Sequence, residues 1–198
     1  DPGEHYGLSQ IHQLSDHLMF QYFKTGDVTW LPEYPYAALR ARALTAIGQL
    51  TKTPVRAAVH MGSSITAHHA WVWPKHDPRV RGLITSGDIG YFRDMYPLGG
   101  ECRGPREIMK AFCRAEPALR EVFLRHVDPY EFAETVRCPV LAVLGSNDFA
   151  CPPLTVPKFL ARLPGPTHLI QVPNHQHGND SRQHIEGFRM WIDHLFYQ

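Results

Sequence analysis

The sequence predicts an α/β domain, a parallel sheet with helices on both faces. Short β-rich runs alternate with helical stretches, the order that builds parallel sheets. The runs VRAAVHM (55–61), VRGLITS (80–86), PVLAVL (139–144) and THLIQV (167–172) are rich in apolar and β-branched residues, as strands are. The last stretch, 180–196, spaces Ile185, Phe188, Met190, Trp191, Ile192 and Leu195 so that one apolar face can pack on a sheet.

Taken in order, residues 10–25 have helical apolar spacing and stop at Gly26. Residues 35–50 open on proline, are rich in Ala, Leu and Arg, and read as a second helix. The strand 55–61 runs into Gly62-Ser63-Ser64-Ile65-Thr66 and a helix that ends by Pro74. After the strand 80–86 comes a stretch, about 91–136, too long for a compact crossover; it reads as a helical, cap-like insertion with helices near 105–115 and 117–126. The strand 139–144 leads through Pro152-Pro153 to a helix at about 155–163, and the strand 167–172 leads to the final helix.

Composition narrows the function classes. With 43% hydrophobic and 20% charged residues, the 198-residue chain can bury a core, which argues against disorder. A formal net charge of +1 offers no electrostatic footprint for nucleic acid or an anionic membrane, although the 13 histidines would add charge below about pH 6.5. No apolar run approaches the ~20 residues that span a bilayer, and no signal peptide is visible. The chain opens on Asp1 rather than methionine, as processing or truncation would each explain. Cys102, Cys113, Cys138 and Cys151 form no CxxC pair; a Cys102–Cys113 bridge is open in an oxidising compartment. His68–His69 and His175–His177 raise the question of a metal, but adjacent helical histidines point in different directions, so neither metal nor cofactor is expected.

In a parallel sheet, ligands bind beyond the carboxyl ends of the strands, so the residues just after each strand matter most. Ser64 follows the first strand between small neighbours, in the pattern of a nucleophile elbow. The amide of Ile65 would open the next helix and could donate to an oxyanion. Asp148, in Gly-Ser-Asn-Asp, follows the third strand and could orient an imidazole. His175 and His177 follow the last strand, and either could act as a base. Each residue has a plainer use, as a helix cap, an Asx turn or a solvated loop histidine. Together, Ser, Asp and His in that chain order, each after its own strand, match the arrangement of α/β-hydrolases. Asp88, after the second strand, is the rival acid.

Three stretches resemble one family, the PhoPQ-activated pathogenicity-related proteins: FKTGDVTWLPEYPYAALRARALTAI, GSSITAHHAWVWPKHDPRVRGLI and PVLAVLGSNDFACPPLTVPKFLARLPGPTHLIQVPNHQHG. The resemblance implies an α/β-hydrolase-like fold with Ser64, Asp148 and His177 as the triad, His177 being the histidine of Pro-Asn-x-x-His. The chain departs from the family at Ile65-Thr66-Ala67, where the family tends to have Lys-Arg-Gly. The resemblance also favours a secreted or periplasmic setting. Only four strands can be placed, so the N-terminal strands of such a fold are expected to lie outside this sequence. Strand 55–61 would then present an edge to an N-terminal segment or to a second copy.

The expected function is hydrolysis of an ester or related acyl bond in a small-molecule substrate, through an acyl-enzyme on Ser64. Tyr91, Phe92, Arg93, Tyr96, Arg103 and Arg106 of the insertion are candidate substrate contacts. Two alternatives stand beside it: an inactive hydrolase fold used for binding or signalling, and a peptidase of the same fold.

Overall fold

Four parallel strands, paired in the order β1-β2-β3-β4, form the sheet of the computed structural model. It describes residues 10–87, 93, 107–148, 151, 155–177 and 182–197. The strands are β1 (Ala58–Ser63), β2 (Val80–Ser86), β3 (Val140–Gly145) and β4 (Thr167–Val172). Among the described residues the helices are α1 (Gln10–Thr25), α2 (Glu33–Leu50), α3 (Ile65–His68), α4 (Glu107–Arg114), α5 (Pro117–Val127), α6 (Pro129–Phe132), α7 (Val156–Leu160) and α8 (Arg182–Phe196).

Side chains alternate across the sheet, as strand geometry requires. Leu83, Val140, Ala142 and Leu144 point to one face, where they meet Trp71, Val156, Phe159 and Phe132. Ile84, Leu141 and Val143 point to the other, where α8 covers them with Phe188 and Trp191. A sheet that grows in one direction through crossovers of one hand lays those crossovers on one face. That leaves the opposite face to α8, which follows the last strand. Trp71, fully buried, meets the ring of Phe159 edge-on at 4.9 Å and anchors the first face.

The helices of the long β2–β3 connection form a second, smaller core. Phe112 of α4 and Phe123, Leu124 and Val127 of α5 pack on Met19 and Tyr22 of α1 and on Leu31. α1 makes this possible because Met19 and Tyr22, at helical spacing, are both buried on the face it turns to this core. Both helices expected in the insertion are present, and residue 93 and residues 107–136 are the parts of it that are described. Of the substrate contacts proposed there, only Arg93 lies among the described residues. Its guanidinium bonds to Glu121 and Glu131, and its amide donates to Asp128.

Several element bounds shift by a few residues from the sequence expectation, and β1 and α2 show why. β1 occupies 58–63 rather than 55–61 because its partner β2 begins only at Val80, after the turn at Asp77, and Ala58 is the first residue with a partner. At the other end, pairing of Ser63 with Ser86 extends β1 through Gly62 and Ser63. α2 starts at Glu33, two residues early, because Pro35 fits within the first turn of a helix. Cys113 is an exposed free thiol, contrary to a Cys102–Cys113 bridge; Cys102 lies outside the described residues.

Candidate active site

Register brings the carboxyl ends of all four strands to one edge. Ser63 pairs with Ser86, Ser86 with Val143, and Gly145 with Val172. The residues that follow these ends form the candidate site.

Ser64, between β1 and α3, has φ 53° and ψ −130°. A non-glycine residue held there stores strain of order 1–3 kcal/mol, so the surroundings must over-determine it. The Ser64 amide donates to the Ser86 carbonyl at 2.8 Å, and its own carbonyl accepts from the amides of Ala67 and His68. Gly62 lets the chain fold back: a Cβ there would lie 2.6 Å from the Ala67 nitrogen. Thr66 does what a second glycine could not, since its hydroxyl accepts from the Ser63 amide at 2.9 Å and donates to the Ser63 carbonyl at 2.8 Å. Ile65 is the first residue of α3, so its amide stands among those with no acceptor inside the helix.

The side chains of Ser64, His177 and Asp148 meet. His177 Nε2 lies 2.9 Å from Ser64 Oγ, and His177 Nδ1 lies 3.0 and 3.1 Å from the two carboxylate oxygens of Asp148. Asp148 Oδ1 also accepts the Cys151 amide at 2.9 Å, which fixes the carboxylate from behind. The Asp148 side chain has no exposed surface, while the imidazole of His177 keeps 20% of its own. Two loops are laced together to achieve this: Ser146 N–H donates to Val172 O, Asn147 N–H to His175 O, and Asn174 N–H to Ser146 Oγ. His175 is turned away, its ring 4.7 Å from that of His184 on α8. The rival acid, Asp88, lies outside the described residues.

Gly87 was not singled out by sequence reasoning. It has φ +65°, and a Cβ there would come within 2.9 Å of His177 Cε1 and 3.0 Å of Nδ1. The glycine makes room for the imidazole, and glycine directly after a β-strand was the available signal.

A second cluster corrects the expectation that the two adjacent histidines diverge. His68 Nε2 and His69 Nδ1 each lie 3.2 Å from the same oxygen, Oε1 of Glu33 at the start of α2. α3 is one turn long and His69 is already its C-cap, and the two rings use different nitrogens, so neighbouring side chains can converge. Burial alone would raise the Glu33 pKa, but the contacts with His68 and His69 outweigh it and hold it at about 2. Burial pushes the His69 pKa down.

The fold is that of α/β-hydrolases. An acetyl xylan esterase 1 from Thermoanaerobacterium sp. JW/SL YS485 superposes with a TM-score of 0.64 at 20% identity, over 79% of this chain and 51% of its own. An acetyl xylan esterase from Paenibacillus sp. R4 gives 0.65 at 20% identity, over 77% and 50%. The acylaminoacyl peptidase of Pyrococcus horikoshii gives 0.59 at 15%, over 76% and 25%. The chain thus spans about half the length of the two esterases. Residues 107–196 match the family model of the PhoPQ-activated pathogenicity-related protein, which bears out the resemblance over the stretch that contains Asp148 and His177. No curated protein matches the sequence. No helix among the described residues is long and apolar enough to cross a membrane.

Proposed function

We propose that the protein is a serine hydrolase that cleaves an ester or related acyl bond through an acyl-enzyme on Ser64. The observation that carries this reading is the unbroken chain of contacts from Ser64 Oγ through His177 to Asp148. With Nδ1–H donating to Asp148, the neutral imidazole presents a lone pair at Nε2 to the serine hydroxyl. As Oγ attacks the acyl carbon, its proton passes to Nε2, and the buried carboxylate stabilises the imidazolium that results. The proton then moves to the leaving oxygen, and water repeats the sequence to release the acid. The strained turn at Ser64 lifts the hydroxyl off the strand end, in the manner of a nucleophile elbow. The next amide, that of Ile65, would then donate to the oxyanion. No step calls for a cofactor.

Acetyl esters are the first substrates to test, because two of the similar structures are acetyl xylan esterases. Hydrolysis of p-nitrophenyl acetate that is lost in both Ser64→Ala and Asp148→Asn supports the proposal. Turnover that survives both changes overturns it. Blocked aminoacyl amides run in parallel would separate an esterase from a peptidase.

A further inference from the structure

Behind the Ser64 turn, three helices meet at Glu33, His68 and His69. Their donor atoms all lie within 4.8 Å of one another, and the three residues are buried. We propose that these residues form a structural site for one divalent transition-metal ion, zinc by its ligand chemistry, which ties α2 to the helix that begins at Ser64.

Four observations support the assignment. Two imidazoles and a carboxylate are a zinc donor set. A tetrahedral zinc with bonds of 2.0–2.2 Å separates its donors by about 3.4 Å. Both imidazole nitrogens lie 3.2 Å from Glu33 Oε1, close to that spacing. The other carboxylate oxygen, Oε2, is buried with no hydrogen-bond partner. In a site built only for hydrogen bonds, the two histidines would be expected to divide between the two oxygens. Convergence on one of them with the second left over suits a carboxylate that closes on an ion with both. Lastly, the outer groups are in place. Ser15 Oγ of α1 lies 3.1 Å from His69 Nε2, and Tyr36 stacks on the His69 ring at 4.6 Å. With the His69 proton on Nε2 donating to Ser15, Nδ1 presents its lone pair to the ion, as metal-bound histidines commonly do through an outer hydrogen bond. Binding requires both imidazoles neutral and the carboxylate ionised, so the tight equivalent should be lost as the pH falls.

The test uses the full protein without a histidine tag, stripped with a chelator and titrated with Zn²⁺ or Co²⁺ alone. The expected result is one tightly bound equivalent, a Tm that rises with Zn²⁺, and the intense visible bands of tetrahedral Co²⁺. The chain has 13 histidines, so stoichiometry and affinity must separate this site from weak surface binding. Glu33→Gln and His68→Gln should each abolish the tight equivalent, and Ser15→Ala should weaken it about 10-fold. If one variant fails to fold, the other and the wild-type Co²⁺ spectrum still decide. Absence of a tight equivalent, an octahedral Co²⁺ spectrum, or undiminished tight binding in a folded ligand variant would overturn the proposal.

Discussion

Gly87→Ala should cripple turnover while leaving the protein folded. The new Cβ would lie 2.9 Å from His177 Cε1 and 3.4 Å from Asp148 Oδ2. Carbon atoms pack at about 3.5–4.0 Å, so the imidazole must retreat by roughly 0.5–1 Å. His177 Nδ1 is only 3.0 Å from Asp148 and Nε2 only 2.9 Å from Ser64, and a retreat of that size stretches at least one contact beyond hydrogen-bond range. A misplacement near 1 Å can cost about 100-fold in rate, or about 2.7 kcal/mol of transition-state stabilisation. Gly87 also has φ +65°, so alanine adds a folding cost of about 1–2 kcal/mol. Gly26→Ala separates the two effects. Gly26 has φ +73°, and its added Cβ meets only the Leu119 side chain at 3.4 Å, so the variant carries similar backbone strain away from the site. Steady-state hydrolysis of p-nitrophenyl acetate, corrected for folded fraction by circular dichroism, should show kcat down about 100-fold in Gly87→Ala and unchanged in Gly26→Ala. Equal activity in the two variants would refute the placement of the working imidazole beside Gly87.

Ser64→Gly should remove turnover and stabilise the fold by about 1 kcal/mol, since glycine adopts a positive φ without strain; a lower Tm than wild type would contradict the strain at Ser64. Thr66→Val leaves the Ser63 amide without its side-chain acceptor and should cost about 1–3 kcal/mol, measured by urea unfolding. Burial, aided by the Arg40 charge, lowers the His60 pKa to about 4. Because the folded-state value lies below the unfolded one of about 6.5, this group's stability contribution is present above pH 6.5 and is lost as pH falls toward 4, an effect of order 3 kcal/mol. His60→Gln should flatten Tm against pH in that window, and parallel curves would count against it. β1 is an edge of the described sheet, Met61 on it is 51% exposed, and Leu39 and Leu50 of α2 are exposed as well. The isolated 198-residue chain should therefore self-associate in light scattering, and Met61→Lys should reduce this. A monomer at high concentration would show the edge to be harmless.

Much of the fold was legible because its signals are local. The runs at 80–86 and 167–172 mark β2 and β4 at their bounds, since apolar and β-branched residues end there at turn residues. Ser64, Asp148 and His177 could be singled out because each follows a strand, and parallel strands bring their ends to one edge. The choice of His177 over His175 rested on family resemblance. Its physical basis, the packing of His175 on His184, joins residues that no local pattern connects. The convergence of His68 and His69 on Glu33 was not legible for a similar reason. Helical spacing describes directions along one helix, whereas this convergence depends on the start of α2 lying beside a single-turn α3, a tertiary event. In the sequence Thr66 is one of the small neighbours of Ser64; its hydroxyl clamp on Ser63 depends on a backbone geometry seen only once the turn is built.

The central claim is that Ser64 is a nucleophile activated by His177 and Asp148. It is tested most directly by treating the protein with a fluorophosphonate and locating the adduct by peptide mass spectrometry. The account predicts one phosphonylated residue, Ser64, with labelling abolished in Ser64→Ala, retained in Ser63→Ala and strongly slowed in His177→Ala. An adduct on Ser63, or equal labelling of the Ser64→Ala protein, would contradict it.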